Sequence, residues 1–500
     1  WDPFGNGKTS IRAGYGMFFE HGTGNEANTG SLEGSAGPIS GGGVIDMTQY
    51  YPLNWGCIGN AGTGCPAFGG TFPINVTSLP TKVSWPYAQQ WSLSIQRELP
   101  LNFLASFAYV GSKGTHLTAE LQTNQLVPVN QANNPFLRGQ PLTSDICSGY
   151  GGGLFTVNGT TIGAGQPGYI NLLAACAGLA TQIPTPNALR QPGYVIAPGL
   201  GQVFSLQNTA NSNYNAFQFT LRRTKGPITV GLSYTYSHSI DDSSDRTSAN
   251  FINAYNIAQN RASSDFDQRH LLNISYIYSI PLEKWGEQFF TWGNDDPTNQ
   301  LADHGLSQRA KAFLSGWELA GITLYSSGTP FSAINGGSSS GISSLDNAGV
   351  AAVLGPGSYP DIIAGTKTAI PTIVTSLFGP LLGNAGQFAA PEGLTYGNAG
   401  RNYLNNPSRL NFDVSLTKMV QLKENQTLQF RLETFNTFNH TQFRIYDPSN
   451  PGNPGNNIVT CYGGNNNSAG DASCLANSPF LHPVDAHRPR TIQLGVKYIF

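Results

Sequence analysis

Charge is scarce in this chain. Its 26 Lys and Arg and 28 Asp and Glu make up 11 % of 500 residues, against about 25 % in an ordinary soluble domain. The two signs nearly cancel, to a net charge of −2. No basic run with interleaved aromatics occurs, so nothing in the chain points to nucleic acid as a partner. No stretch of 18 apolar residues exists either. The longest candidate, NLLAACAGLA at 171–180, is too short to cross a bilayer as a helix. The eight His show no HExxH and no i,i+4 couple, so the common zinc patterns are missing. Methionine, at 3, is nearly absent, and no signal peptide is visible. The chain opens on Trp1 rather than Met. It therefore reads as a piece of a longer protein, and the missing leader says little about compartment.

What is present is glycine (60), proline (32) and aromatic residues (11 %). Six cysteines form three sequence-local couples: Cys57 with Cys65, Cys147 with Cys176, and Cys461 with Cys474. All lie in stretches rich in Gly, Pro and Asn without His at ligand spacing, which favours disulfides in an oxidising compartment over metal binding.

The strongest signal is alternation. Ten segments alternate apolar with small or polar residues: 10–19, 89–98, 102–110, 215–223, 228–238, 271–280, 316–326, 409–418, 426–435 and 491–500. Each has about the length of a tilted membrane-spanning strand, and no helical period is sustained anywhere. The connections alternate too. Short links at 99–101, 224–227 and 419–425 separate long ones at 20–88, 111–214, 239–270, 327–408 and 436–490. Long structureless loops are rare in compact soluble domains, whereas short periplasmic turns and long outer loops are the pattern of an outer-membrane barrel. The link 281–315, with its polar run WGNDDPTNQLADHG, breaks the rhythm and reads as an insertion. The expected fold is all-β: an antiparallel transmembrane β-barrel, partial at about ten strands, with long extracellular loops.

Two checks agree. All three cysteine couples fall in long loops on the outer side. Charges also avoid the lipid-facing parity, where Arg or Lys costs about 2–4 kcal/mol at the midplane: Arg12, Asp413, Arg431, Glu433 and Lys497 take the opposite face. Arg97, Arg223 and His238 share the outward parity but lie at strand ends, where snorkelling is tolerated. The segment GWELAGITLYS is ambiguous, because Ala320, Ile322 and Leu324 share the face of Glu318. A secreted β-sandwich or propeller would also alternate; strand length, loop asymmetry and low charge favour the barrel.

The segments SIRAGYGMFFE, YAQQWSLSIQREL, ASFAYVGSKGTHL, NYNAFQFTLRR, SYTYSHSIDDSSD and FDQRHLLNISYIYSIP resemble TonB-dependent outer-membrane receptors, in particular the Oar-like branch. So do GWELAGITLYSSGTPFS, GNAGRNYLNNPSRLNFDVSLTK, FRLETFNTFNHTQF and TIQLGVKYIF. They run in the family's order over nearly the whole chain, and the long loops match nothing recognisable. The resemblance implies that residues 1–500 are the C-terminal portion of a barrel of about 22 strands. Earlier strands, the plug and N-terminal domains would lie upstream of Trp1. It also implies that Tyr498 and Phe500 form the terminal aromatic signal read by barrel-assembly machinery. Contact with the TonB complex would run only through the missing plug region, and a sheet of ten strands would stay incomplete and curved.

Chemical motifs are weak. GNGKTS at 5–10 ends like a phosphate-binding loop, but Asp2 stands where the pattern needs Gly, and a strand follows. GSSSG at 337–341 fits G-x-S-x-G outside any strand–turn–helix context. Asp241, Asp242 and Asp245 in SIDDSSDR could hold Ca²⁺; a solvated loop start is the plainer reading, since the spacing of an EF-hand is missing. Asp267, Arg269 and His270 in FDQRH look catalytic, though an interfacial salt bridge fits their place before a strand better. Asp413, Arg431 and Glu433 read as a polar cluster bracing the wall from the lumen or touching a plug. Trp85, Tyr87, Trp91, Tyr234, Tyr236, Tyr276 and Tyr278 include girdle residues. No cofactor is read from the sequence.

These readings lead to a receptor or transporter of the bacterial outer membrane, surrounded by lipid and taking up a large nutrient such as a glycan, peptide or metal chelate. The alternative is a structural or adhesive barrel that displays disulfide-pinned loops. An outer-membrane hydrolase would need a lipid-facing Ser/His pair, which is not found, so no enzyme activity is expected.

Overall fold

The alternation read from the sequence becomes a single antiparallel ladder. A computed structural model describes residues 1–20, 39–40, 74–78, 84–123, 152–166, 169, 200–244, 253–254, 256–291, 308–335, 359–363, 372–376, 378–389, 391, 396–423, 425–447, 455–459 and 478–500. Ten strands form the path of its main, 13-stranded sheet. They are β1 (Thr9–Phe19), β2 (Tyr87–Leu99), β3 (Phe103–Gln122), β4 (Leu200–Arg223) and β5 (Ile228–Asp241). Next come β6 (His270–Ile280), β7 (Trp317–Ser326), β8 (Arg409–Lys423), β9 (Gln426–Phe435) and β10 (Thr491–Ile499). Each pairs antiparallel with the next in chain order. Among the described residues no ladder joins β1 to β10.

The register carries one face across all ten strands. Tyr15 lies opposite Trp91, Leu93 opposite Tyr109, Phe107 opposite Phe219, and Phe219 opposite Tyr234. The row continues through Leu272, Tyr325 and Leu410, while nearer the turns Leu416, Leu432 and Leu494 stand in line. This face is apolar and much of it is exposed: Leu93 is 47 %, Phe107 46 % and Leu494 79 % accessible. So much uncovered apolar surface is what a lipid-facing wall requires. Large rings lie over glycines of the adjacent strand. A Cβ on Gly111 would come within 2.3 Å of the Trp91 ring, and one on Gly321 within 2.5 Å of the Tyr276 hydroxyl. The rings there shield backbone that no side chain of its own would cover.

The opposite face is mostly small and polar, with Gln96, Ser106, Thr220, Ser233, Asn273 and Asn411 in line. The ambiguity in β7 resolves here. Glu318 pairs with Ser279 and Thr417, and Ile322 with Ser275 and Asp413. Ala320, Ile322 and Leu324 are thus an apolar strip on the inner face, beside Ile277 and Phe435.

Turn chemistry sets one end of the sheet. Between β2 and β3, Leu101 and Asn102 both adopt left-handed backbone, with φ of 61° and 60°. Two consecutive positive φ values match the twist of a two-residue hairpin. Arg223 of the next hairpin donates from Nε to the Leu101 carbonyl at 3.1 Å.

Two expectations change. The link 111–214 is not all loop. β3 and β4 run on together to Gln122 and Phe204, and residues 74–78 add a parallel strand along β4. At about 3.3 Å per residue, the 20 residues of β3 exceed a hydrocarbon core of about 30 Å, so this hairpin projects beyond it. The link 281–315 contains helices, contrary to the absence of helical period: α1 (Leu282–Thr291) and α2 (Gln308–Leu314). Neither is long enough to cross a membrane, and no described helix is.

Candidate functional site at the loop end of the sheet

Among the described residues, the largest buried hydrophobic cluster is not in the wall. It lies in segments of the β7–β8 and β9–β10 loops, which share a hydrophobic core. Phe331, Phe388 and Leu404 from the first loop pack with Ile445, Val459, Phe480 and Leu481 from the second, each at most 1 % exposed. Short strand pairs brace each loop, residues 330–331 with 404–405 and 361–362 with 388–389 in the first and 443–444 with 485–486 in the second, while 334–335 with 458–459 joins the two. Phe388 meets Phe480 edge to face at 5.7 Å between centroids. Asn406 fastens the base of this module, accepting from the Ile445 and Tyr446 amides and donating to the Tyr446 carbonyl.

Arg401 ties the module to the rim of the wall. Its side chain is fully buried. Nε donates to the Asn260 carbonyl at 3.1 Å, and Nη1 to Ser244 Oγ and Asp265 Oδ1, both at 3.2 Å. Nη2 donates to the Asp241 carbonyl at 2.8 Å and to the Asp241 carboxylate. Five N–H donors thus meet five acceptors, the condition under which a guanidinium can stay dry. Asn402 adds bonds to the Ser263 carbonyl at 2.7 Å and Asp265 Oδ1 at 2.6 Å. Tyr359 is buried beside this group, and burial pushes its phenol well above the ordinary range, against the opposing pull of the Arg401 charge.

The three-aspartate cluster therefore divides. Asp241 faces Arg401. Asp242 accepts from the Asn211 amide at 2.8 Å and pairs with Arg261 at 3.2 Å. Asp245 lies outside the described residues, as do all six cysteines, Cys57, Cys65, Cys147, Cys176, Cys461 and Cys474. Among the described residues no group of three or more His, Cys, Asp or Glu could hold a metal.

The FDQRH group forms an ion-pair cluster at the end of β5. Asp267 accepts from the Ser239 amide at 2.8 Å, His238 Nδ1 at 2.9 Å and Arg269 Nε at 3.1 Å. Arg269 also approaches His238 Nε2 at 3.0 Å. The one tautomer that satisfies both contacts carries its proton on Nδ1. His270 is not part of this cluster; its Nδ1 meets the Tyr234 hydroxyl at 2.9 Å.

On the inner face, Arg431 and Glu433 pair at 3.4 Å. Asp413 turns away from them, accepting from the Asn436 amide at 2.8 Å and Asn411 Nδ2 at 2.9 Å. Asp413 and Glu433 nevertheless border one concavity of about 370 Å³, with Ser275, Ile322, Ser415 and Phe435. At the chain end, Tyr498 and Phe500 stack at 5.7 Å, with Phe500 90 % exposed.

Sequence reasoning missed Arg401 and the shared loop core. One faint signal existed: Arg401 is the sole arginine in 327–408.

A lipid-type face on every strand, a polar opposite face and elaborated loops at one end describe a membrane barrel wall. The family model described as "Outer membrane beta barrel domain" matches residues 1–493. The chain belongs to that family. This outer-membrane barrel chain accordingly resides in the bacterial outer membrane, and its loop end faces outward. No curated protein matches its sequence. Among solved structures it is similar to the outer membrane transporter YddB from Escherichia coli, at 10 % identity and a TM-score of 0.37, covering 100 % of this chain and 39 % of that one. The siderophore receptor PiuA from Acinetobacter baumannii matches at 8 % identity and a TM-score of 0.34, covering 100 % and 34 %. The ferric-catecholate import receptor Fiu from E. coli K12 matches at 8 % and 0.33, covering 98 % and 33 %. The barrel chain thus spans only about a third of the length of these proteins.

Proposed function

We propose that these residues form the later part of the wall of a TonB-dependent outer-membrane receptor of the Oar-like branch, which binds and takes up a large nutrient such as a glycan, peptide or metal chelate. The observation that carries the reading is the pairing of a polar inner face with an ordered outer loop module, both built on a wall of the matched family. A wall alone would serve a passive pore. Loops held by a core of their own and by Arg401 offer a fixed surface on which a large solute can be selected before passage. In this reading Asp413, Arg431 and Glu433 meet a plug domain, which carries the contact with TonB, and Tyr498 and Phe500 guide assembly of the wall.

The test is uptake by the full-length protein in cells. Accumulation of candidate nutrients should fall to background when TonB is depleted and when the plug-coding region is removed. Uptake that persists without TonB overturns the receptor reading. A second reading, a structural or adhesive barrel, is favoured by the rigidity of the same loop module. Under it, cells lacking the protein lose surface attachment while nutrient uptake is unchanged.

A further inference from the structure

The β6–β7 connection departs from the short turns at its end of the sheet, and the contacts it makes say where it lies. LEKWGEQFFT, the sequence of α1, spaces apolar residues by three and four with Glu283, Lys284 and Glu287 between them, an amphipathic pattern. Lys311 of α2 pairs with Glu287 of α1 at 2.9 Å, so the two helices hold one another. Two strand side chains reach the end of α2. Trp317 Nε1 donates to the Phe313 carbonyl at 2.8 Å. Lys418 Nζ donates to the Ala312 carbonyl at 2.8 Å and to the Ser315 carbonyl, the favourable place for a cation at a helix C-terminus. Trp317 and Lys418 are cross-strand partners, and Lys418 lies 5.5 Å from the Trp317 ring.

The parity of these two residues decides the side. Lys418 is in register with Phe430, and Phe430 with Val496, all on the apolar face that meets lipid. The end of α2 therefore rests on the outer, lipid-facing side of the wall and not in the lumen. Large apolar residues of the hairpin are nevertheless uncovered: Trp285 is 49 % and Phe313 68 % exposed. Phe313 stands at the end of the lipid-facing band, its carbonyl held by Trp317, and tryptophan gathers at membrane boundaries.

We propose that α1 and α2 form an interfacial anchor, lying in the headgroup layer of the phospholipid leaflet at the turn end, with Trp285 and Phe313 inserted below the headgroups and Glu283, Lys284 and Glu287 toward water. The occupant of this surface is lipid, because the surface is continuous with the lipid-facing band and is fixed to it by Trp317 and Lys418. The anchor holds the turn end of β6 and β7 at one depth, about 5–10 Å inside the boundary for its apolar side chains.

Fluorescence of the full-length protein, reconstituted into phosphatidylcholine vesicles, tests this. The Trp285 signal is the difference between the wild type and Trp285→Phe. It should lose most of its emission in lipid brominated just below the headgroups, lose little in lipid brominated at the chain ends, and resist aqueous iodide. An indole placed in α2 by Phe313→Trp, in the Trp285→Phe background, should behave the same way. Full quenching of both indoles by iodide with no effect of bromolipid overturns the proposal and marks the hairpin as a water-facing surface for a protein partner. Stronger quenching by the chain-end bromines overturns the interfacial depth.

Discussion

Arg401 shows how much one side chain can settle. A buried guanidinium is tolerated only when every donor is used, and its acceptors come from β5 and the β5–β6 loop. Replacing it by methionine keeps the volume and leaves the Asp241 carboxylate buried without its partner. Breaking a buried pair in this way costs about 3–5 kcal/mol. Hydrogen exchange for Arg401→Met should accelerate in 256–265 and 396–406 while the middle of β6 and β7 stays protected; unchanged protection in the first two segments would contradict the clamp. Histidines give a second prediction at this scale. Burial holds His482 below its ordinary 6.5, and burial with the charges of Arg409 and Arg444 does the same for His487, against Asp485 and Asp447. A folded-state pKa below the unfolded one means that the fold prefers the unprotonated ring. The stabilisation is fully present above pH 6.5 and is lost as pH falls through the lower folded values. Exchange in 478–487 should therefore rise on acidification, and His482→Asn with His487→Asn should flatten the profile. A flat wild-type profile would rule this out.

Single strands follow the rule of two faces. In β10, Leu494 belongs to the lipid side and Gln493 to the inner side. Leu494→Arg near the bilayer midplane should cost about 2–4 kcal/mol, whereas Gln493→Arg should cost little. Urea unfolding in lipid vesicles measures both, and equal costs would mean that the two faces are assigned wrongly. All ten strands were legible from alternation because period two needs no partner to be seen. The helices were not: the apolar residues of LEKWGEQFFT are few, and a run of ten residues is too short for its period to stand out. The extension of β3 and β4 was hidden for a different reason. The run SKGTH at 112–116 interrupts the alternation, and the three apolar residues that resume it, Leu117, Ala119 and Leu121, are too few to read as a strand.

The whole molecule combines a wall that buries little with a loop module that buries much. Phe388, at 0 % exposure, sits in the module core. Phe388→Ala should cost about 3–5 kcal/mol, and the cost should be local. Proteolysis within 327–408 should increase while the folded wall keeps its resistance to detergent on gels. Loss of that resistance as well would show the module and the wall to be one cooperative unit.

The amino-acid pattern by itself determined which residues meet lipid in every main strand but β7, since each of the others has two parities and one of them is predominantly apolar. It also determined the order of turns and long loops, because both depend on local chain chemistry. The tertiary structure alone decided that two loops share a core, that Arg401 takes the Asp241 carboxylate, and that a helical hairpin lies on the lipid side. Those outcomes rest on contacts up to 160 residues apart. Such contacts leave no trace in a local period, because the burial and the hydrogen bonds that select them exist only once the distant segments have met.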